Sequence, residues 1–519
     1  MHTTDPVGFL GRDFVGYVAD LAVGEIDDAI ADHTHPRHDD VCVAINVCQT
    51  FLADAALGVH SGVARMCAED GEHSVGNALR RQAGHEVPEI VDADPLLSTI
   101  FAIARDVYPA LLLPPLRDPF ASAALVTPAH RIVMSAVMEH PAASRFAEAV
   151  RDDPLFEMLG DGTAPPFFMF AAGTGAAVDL DALPAAVIGA AAARSRLLDA
   201  QFSLGGLVAQ LRAVLADLRA IGRGERIRVP VATSVQGIEV QPAVKFDLPW
   251  GVLRSMDQST LNAIGDAFPA QGAAFVTTIE CDVAVGDASA PEGPPTPRQS
   301  AMRAFNTTLD ERVEKLALTL LLANHNPRVA GVVTRVVAIT PLFGVGWGAV
   351  GRATEPGPAQ QRALTTQSAA ALTEAAALVD LRYAPTLAIP TRRLTSALSV
   401  RHDLEDSLVD AVVAWESLFA GTDAGELTFR IAAAMAWLLG ATVEDRLRLH
   451  REISSLYGVR SQILHRGRAG RDLTAERDRA VELGVQAITA LLRDHPDLVA
   501  DENRGKKLIM RGEMPDASN

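Results

Sequence analysis

Leucines and valines in Leu204–Ile221 recur at spacings of three and four with charges between them, the pattern of an amphipathic helix. Helical periodicity of this kind runs through residues 1–225, punctuated into short bundles by the prolines of Leu111–Pro119 and around Pro165. At Ile227 the period changes. Ile227, Val229 and Val231 alternate with other residues, as do Ile238 with Val240 and Val244 with Phe246, and Phe275–Val285 continues in that style, which predicts strands. Asp287–Pro297 holds four prolines and reads as a linker or long loop. A helix over Leu309–Leu322 and strand-like sequence around Val329–Ile339 follow, and Glu355-Pro-Gly-Pro breaks the chain again. Helical periodicity then returns until about residue 493. The expected fold class is α+β, mostly helical. It has a helical N-terminal region (1–225), a mixed middle domain (226–355), a helical bundle (362–500) and a polar, flexible tail (501–519).

Composition supports a folded chain. With 519 residues, 49% hydrophobic and 21% charged, it can bury a sizeable core, and disorder as the main state is excluded. No uncharged apolar run reaches the ~18 residues of a membrane span. The longest, Thr163–Val178, is broken by Pro165, Pro166, Gly173 and Gly175. Acids come early and no basic segment precedes an apolar stretch, so no secretory signal is visible and a cytoplasmic protein is expected. Cys42, Cys48, Cys67 and Cys281 lack paired C-x-x-C spacing and read as buried free thiols. The net charge of −18 argues against a surface coated for nonspecific nucleic-acid binding. A local basic patch survives it: Arg446–Arg479 holds nine arginines against four acids.

Two motifs lose to bland readings. His33-Thr-His35-Pro-Arg-His38-Asp39-Asp40 partly resembles the H-x-H-x-D-H run of metallo-β-lactamase folds. Arg37 stands where an acid belongs, however, and the preceding Glu25–Ala31 looks helical, so a polar loop is expected and no metal site. Gly346-Trp-Gly348-Ala-Val-Gly351 satisfies G-x-G-x-x-G, but Pro356 and Pro358 oppose the helix a dinucleotide site requires. A glycine-rich hairpin is expected there.

Leu404–Leu492 carries more. Helical projection puts Leu408, Val412, Trp415 and Phe419 on one stripe, with Glu416 inside the apolar arc. A carboxylate there needs a cation or donor, either as a structural partner or as part of a site. A second helix spans about Leu427–Leu439 and stops at Gly440, and Thr442 with Asp445 offers the cap of a third. That helix places Ile453, Leu456, Tyr457, Arg460, Ile463 and Leu464 on its apolar side, with His465 at the edge. Arg-x4-His alone says little: 42 arginines and 14 histidines in 519 residues give about one match by chance, and the chain holds two. Arg80–His85 lacks an apolar helical frame and serves as the control.

Around the second match, Leu456-Tyr457-Gly-Val-Arg460-Ser461-Gln-Ile463-Leu-His465 resembles the signature helix of HEPN domains, in particular the Apea-like branch. Asp406-Ser-Leu408-Val-Asp410 through Trp415-Glu416-Ser-Leu418-Phe419 is similar to that branch's upstream helix, and Glu426–Arg430 leading to Ala436–Gly440 to its middle helix. The resemblance covers about 130 C-terminal residues. Many relatives read His-Gly, whereas Arg466 here separates His465 from Gly467 and shifts the helix end by one residue. The resemblance implies a helical bundle that pairs with a second copy of itself. It also implies a metal-independent endoribonuclease without cofactor, of the toxin and phage-defence kind. In that reading Arg460 and His465 are the catalytic pair, Ser461 the polar neighbour and Glu416 the upstream acid. Arg466, Arg468, Arg471 and Tyr457 would bind RNA. From domain order alone, a regulatory ligand or phage-derived trigger is expected to act at the N-terminal regions. A noncatalytic HEPN module for sensing, RNA binding or assembly is the alternative.

Overall fold

Short helices open the chain because caps and prolines interrupt its apolar runs. The computed structural model describes residues 5–54, 74–114, 133, 136–159, 166–173, 175–199, 201–264, 272–287, 296–324, 329–342, 349–351, 362–421, 426–466 and 471–513. The first helices are α1 (Pro6–Leu10), α2 (Arg12–Val18), α3 (Val23–Ala31), α4 (His38–Asp54), α5 (Val75–Gln82), α6 (Pro95–Leu111), α7 (Pro141–Arg151) and α8 (Leu155–Leu159). Asp5, Asp94 and His140 accept hydrogen bonds from first-turn amides of α1, α6 and α7, each of which has proline at its start. Phe14, Phe101 and Phe146 are fully buried at the centre of this region. A small antiparallel sheet joins it to the middle of the chain: β1 (Pro166–Phe170) lies between β2 (Gly175–Ala177) and β8 (Val283–Asp287).

Helices α9 (Leu183–Leu198) and α10 (Leu204–Gly222) lead into the main sheet. Its strands are β3 (Ile227–Gln236), β5 (Lys245–Leu248), β6 (Gly251–Ser255), β7 (Ala273–Cys281), β9 (Val332–Ala338) and β10 (Ala349–Gly351). They run antiparallel in the order β10-β9-β3-β7-β6-β5. Ala193 and Leu197 of α9, with α11 (Gln258–Ile264), cover Ala232, Ala274 and Val276 on one face. Leu316–Leu321 of α12 (Thr296–Leu322) belong to the cluster that buries Val235, Leu253 and Phe275. The middle of β3 is therefore buried on both faces, and the expected alternation survives only near its start, where Arg228 is exposed. Helix α12 begins at Thr296, well before Leu309; Pro297 falls in its first turn, where a missing N–H is tolerated. The rest of the proline-rich linker, 288–295, lies outside the described residues.

Toward the C-terminus β11 (Arg362–Leu364) pairs in parallel with β4 (Ile238–Val240). The bundle comprises α13 (Ala369–Arg382), α14 (Ala388–Ser399), α15 (Leu404–Phe419), α16 (Leu427–Leu439), α17 (Val443–Arg466), α18 (Thr474–Asp494) and α19 (Arg504–Glu513). The protein is thus α+β and mostly helical, with a helical C-terminal region. One apolar core runs from Val235 and Phe275 through Leu316–Leu321 into Trp415, Ile453 and Ile488, so the bundle and the middle sheet share their interior. The expected flexible tail over 501–519 is corrected: α19 folds back on the bundle, burying Arg504 and Leu508, because its apolar residues find space beside α16. Residues 514–519 lie outside the described set. Among the described residues no helix is long and apolar enough to cross a membrane.

Asp410 fixes the start of the bundle. Its buried carboxylate accepts bonds from Arg393 (2.7 Å), Ser396 (2.7 Å) and Arg401 (2.8 Å). Burial alone would raise its pKa; the bonds from Arg401 and Ser396 outweigh that and hold it below the ordinary carboxylate value. A lowered folded pKa means stability that is present above the unfolded value and lost as pH falls through the folded one. Asp410→Asn is expected to cost on the order of 2 kcal/mol near neutrality, less below pH ~4, as read by chemical denaturation at both pH values.

Candidate functional site

Helix α15 starts where Asp403 accepts bonds from the amides of Glu405 (2.7 Å) and Asp406 (3.2 Å). Leu408, Val412, Trp415 and Phe419 are all buried, as their spacing predicts, and the indole of Trp415 donates to the carbonyl of Ala480 (3.1 Å). Trp415 thereby locks α15 against α18 and sets the height of Glu416, one residue on. Helix α17 begins after Thr442, whose hydroxyl accepts from the amide of Asp445 (3.1 Å). Gly440 ends α16 with an extended backbone (φ −95°); a Cβ there would lie 2.7 Å from Cγ of Arg446 and 2.8 Å from the carbonyl oxygen of Ala436. Close packing, rather than a left-handed turn, calls for glycine.

Between α15 and α17 the Glu416 carboxylate takes two partners from one helix. The hydroxyl of Tyr457 donates to it at 2.5 Å, and Nη2 of Arg460 lies 3.3 Å away. Both members of the ion pair are about four-fifths buried, with side-chain exposures of 21% for Arg460 and 18% for Glu416. Arg460 also lies over the Tyr457 ring, 5.4 Å from its centroid, and its Nε is buried without a partner among the described residues. Burial, then the bond to Glu416, raises the Tyr457 pKa to about 12.

His465 stands on the last turn of α17, exposed, and Ser461 is half-buried. Leu464 corrects the expectation for the apolar side: it is 56% exposed although Ile463 beside it is buried, the two projecting about 100° apart around α17. Tyr457, expected on an RNA-facing surface, is instead 8% exposed with its hydroxyl held by Glu416. Arg471 pairs with Glu476. Arg468 and Gly467 lie outside the described residues, and of Arg466 only its place in α17 is described. The basic patch is partly neutralised from within, since Arg448 pairs with Asp445, Arg477 with Asp478, and Arg479 with both Glu452 and Glu482.

The control motif has a different environment. Arg80 sits on α5, 5% exposed; its guanidinium donates to the carbonyl of Glu86 (2.7 Å) and the carbonyl of Tyr17, and pairs with Asp20. The expectation that this stretch lacks an apolar helical frame is corrected: Leu79 and Gly76 are buried on the same helix. Arg80 ties α5 to α2, a structural duty.

The other sequence candidates resolve as follows. His33–His38 follows a helix, and Nε2 of His38 approaches Nδ1 of His33 (3.0 Å) and Sγ of Cys42 (3.4 Å). Among the described residues no group of three or more His, Cys, Asp or Glu is arranged to hold a metal. Cys42 is exposed, against expectation, whereas Cys48 and Cys281 are buried and burial pushes the Cys48 thiol up to about 12. Cys67 lies outside the described residues. Gly351 ends β10, antiparallel to β9, in keeping with a hairpin; 343–348 lie outside the described residues.

Comparison of the chain with protein-family models, with curated proteins and with solved structures finds no match in any of the three.

Proposed function

We propose that the C-terminal bundle is a HEPN-type, metal-independent endoribonuclease acting on single-stranded RNA as a cytoplasmic homodimer in toxin or phage defence. The observation that carries this reading is the division of labour along α17: Arg460 is braced by a carboxylate from α15, while His465, one turn and a half onward, is free to meet solvent. RNA brings its own nucleophile, the 2′-hydroxyl. His465 takes the proton from that hydroxyl, a transfer for which an imidazole is the usual side chain. Arg460 offers a planar cationic fork to the charge growing on the phosphoryl oxygens, and Glu416 and Tyr457 limit where that fork points. Attack on phosphorus breaks the bond to the 5′-oxygen, which takes a proton from solvent water as it leaves, giving a 2′,3′-cyclic phosphate and a 5′-hydroxyl. The testing experiment is a digest of transfer, ribosomal and messenger RNA with chelator present, followed by end analysis. Cutting confined to DNA, or dependent on magnesium, refutes the reading.

One face of α17 supports self-pairing. Val443, Leu447, Ser454, Gly458, Ser461 and His465 fall on one side at 100° per residue. Val443 is 70% and Leu447 57% exposed, and a Cβ on Gly458 would meet nothing within 4 Å. Small residues let a second α17 approach, which would bring two His465 side chains to one RNA-sized seam. Light scattering at micromolar concentration should give twice the chain mass, and Gly458→Trp should return the monomer with its melting temperature intact. A wild-type monomer at all concentrations tested counts against the dimer.

A noncatalytic module is the second reading. It is favoured by the engagement of Arg460 with Glu416, which an inert structural pair would also display.

A further inference from the structure

At the edge of the main sheet β6 stops pairing with β7 at Val252–Val276, and β7 continues alone on that side through Thr277 and Thr278. A cavity of about 540 Å³ opens there, closed by the C-terminal end of α9, the β5–β6 hairpin and Arg312 of α12. That volume suits a ligand of nucleotide size, within the ~300–1,000 Å³ common for small-molecule sites.

Its lining is cationic. Arg228, Lys245, Arg254 and Arg312 face it against two acids, Asp199 and Asp257. Asp257 is already engaged by Arg254, Ser255 and Thr260, and Asp199 accepts from the hydroxyl of Ser195 (2.6 Å). Arg228 and Arg312 have no carboxylate partner within ion-pair distance among the described residues. Glu311, the acid beside Arg312, pairs with Lys315 (2.9 Å). Arg312 is held in place by neutral groups: it donates to the carbonyl of Thr278 (2.6 Å) and to the hydroxyl of Thr277, which itself donates to the carbonyl of Trp250 (2.6 Å). Burial and the nearby Arg228 both work against its charge and lower its pKa. Two guanidinium groups brought together without an acid repel each other, and a multiply charged anion between them offsets that repulsion.

The other wall is apolar. Trp250, Val252, Val276 and Leu198 line it, and Leu198 is 46% exposed. Ala243, also in the lining, adopts φ +63° in the turn closed by the Val244 amide on the Gln241 carbonyl (3.0 Å). We propose that this cavity binds a phosphate ester carrying a flat apolar ring, the class that includes nucleotides. The phosphates lie against Arg228 and Arg312, and the ring lies along Trp250 and Val252.

Calorimetry on the full chain with ATP, inorganic tripolyphosphate and adenosine tests this, and its readout is independent of RNA cutting. ATP should give saturable one-site binding that weakens with salt, and each fragment alone should bind at least about tenfold more weakly. Arg228→Glu should weaken ATP about a hundredfold and Arg228→Lys less, with the ligand-free melting temperature no lower, because Arg228 is exposed and an acid there relieves its repulsion with Arg312. Equal affinity for adenosine and ATP, no saturable heat from ATP at millimolar concentration, or full affinity in Arg228→Glu would each overturn the proposal.

Discussion

His465→Ala lowers RNA cutting by about two to four orders of magnitude and leaves the melting temperature where it was. The first half follows, on the proposed mechanism, from removing the group assigned to move the proton. The second follows from its exposed position on the last turn of α17, where no packing is lost. Arg460→Ala should also abolish cutting but melt at lower temperature, since it strands Glu416 with only Tyr457 for a partner. Arg460→Lys keeps the charge, loses the planar fork, and should recover stability more than activity. The control pair behaves differently. Arg80→Ala lowers the melting temperature because Arg80 joins α5 to α2, yet cutting by the folded fraction is unchanged; His85→Ala leaves cutting unchanged. The measurement is a gel assay with chelator alongside thermal melting for all five variants. Undiminished cutting in both His465→Ala and Arg460→Ala would remove the catalytic reading altogether.

Glu416→Gln is expected to cost about 1–2 kcal/mol, a drop of about 1–2 °C in melting temperature for a chain of this size. The figure is well under that for a fully buried pair because solvent reaches about a fifth of each partner. If the carboxylate also orients Arg460, cutting falls alongside stability; if it is only a counter-ion, stability alone falls. Tyr457 supplies a third readout. Burial first, and the Glu416 bond second, raise its pKa to about 12, so neutralising Glu416 should let the phenol titrate at lower pH in an absorbance titration. The sign for stability follows. A raised folded pKa is fully stabilising below the unfolded value near 10 and loses its effect as pH climbs toward about 12, so the wild-type bundle should weaken across that interval. A Glu416→Gln protein with unchanged melting, unchanged Tyr457 titration and unchanged cutting would show that the pair is idle.

Local spacing decided a good deal by itself. The stripe Leu408–Val412–Trp415–Phe419, the bounds Leu427–Leu439 and the Thr442 cap stand in the fold as periodicity predicts, because each depends on neighbours within a turn or two; a strand does begin at Ile227, but its alternation gives way where both faces are covered. Glu416 was visible as a carboxylate in an apolar arc, which is a local anomaly. Its partners were not, since Tyr457 and Arg460 arrive from a helix some forty residues away and only packing chooses which groups meet. The same holds for Leu464, apolar by sequence yet exposed while its neighbour Ile463 is buried, and for α19, polar by composition yet anchored by buried Arg504 and Leu508. The cavity at β7 is the extreme case. Arg228 and Arg312 sit on different elements, neither in a motif, and a strand edge brings them together. Sequence fixes what a residue offers to its neighbours in the helix or strand; distance through the fold fixes which charges meet, and Arg312 loses its water only because β7 and the β5–β6 hairpin close around it.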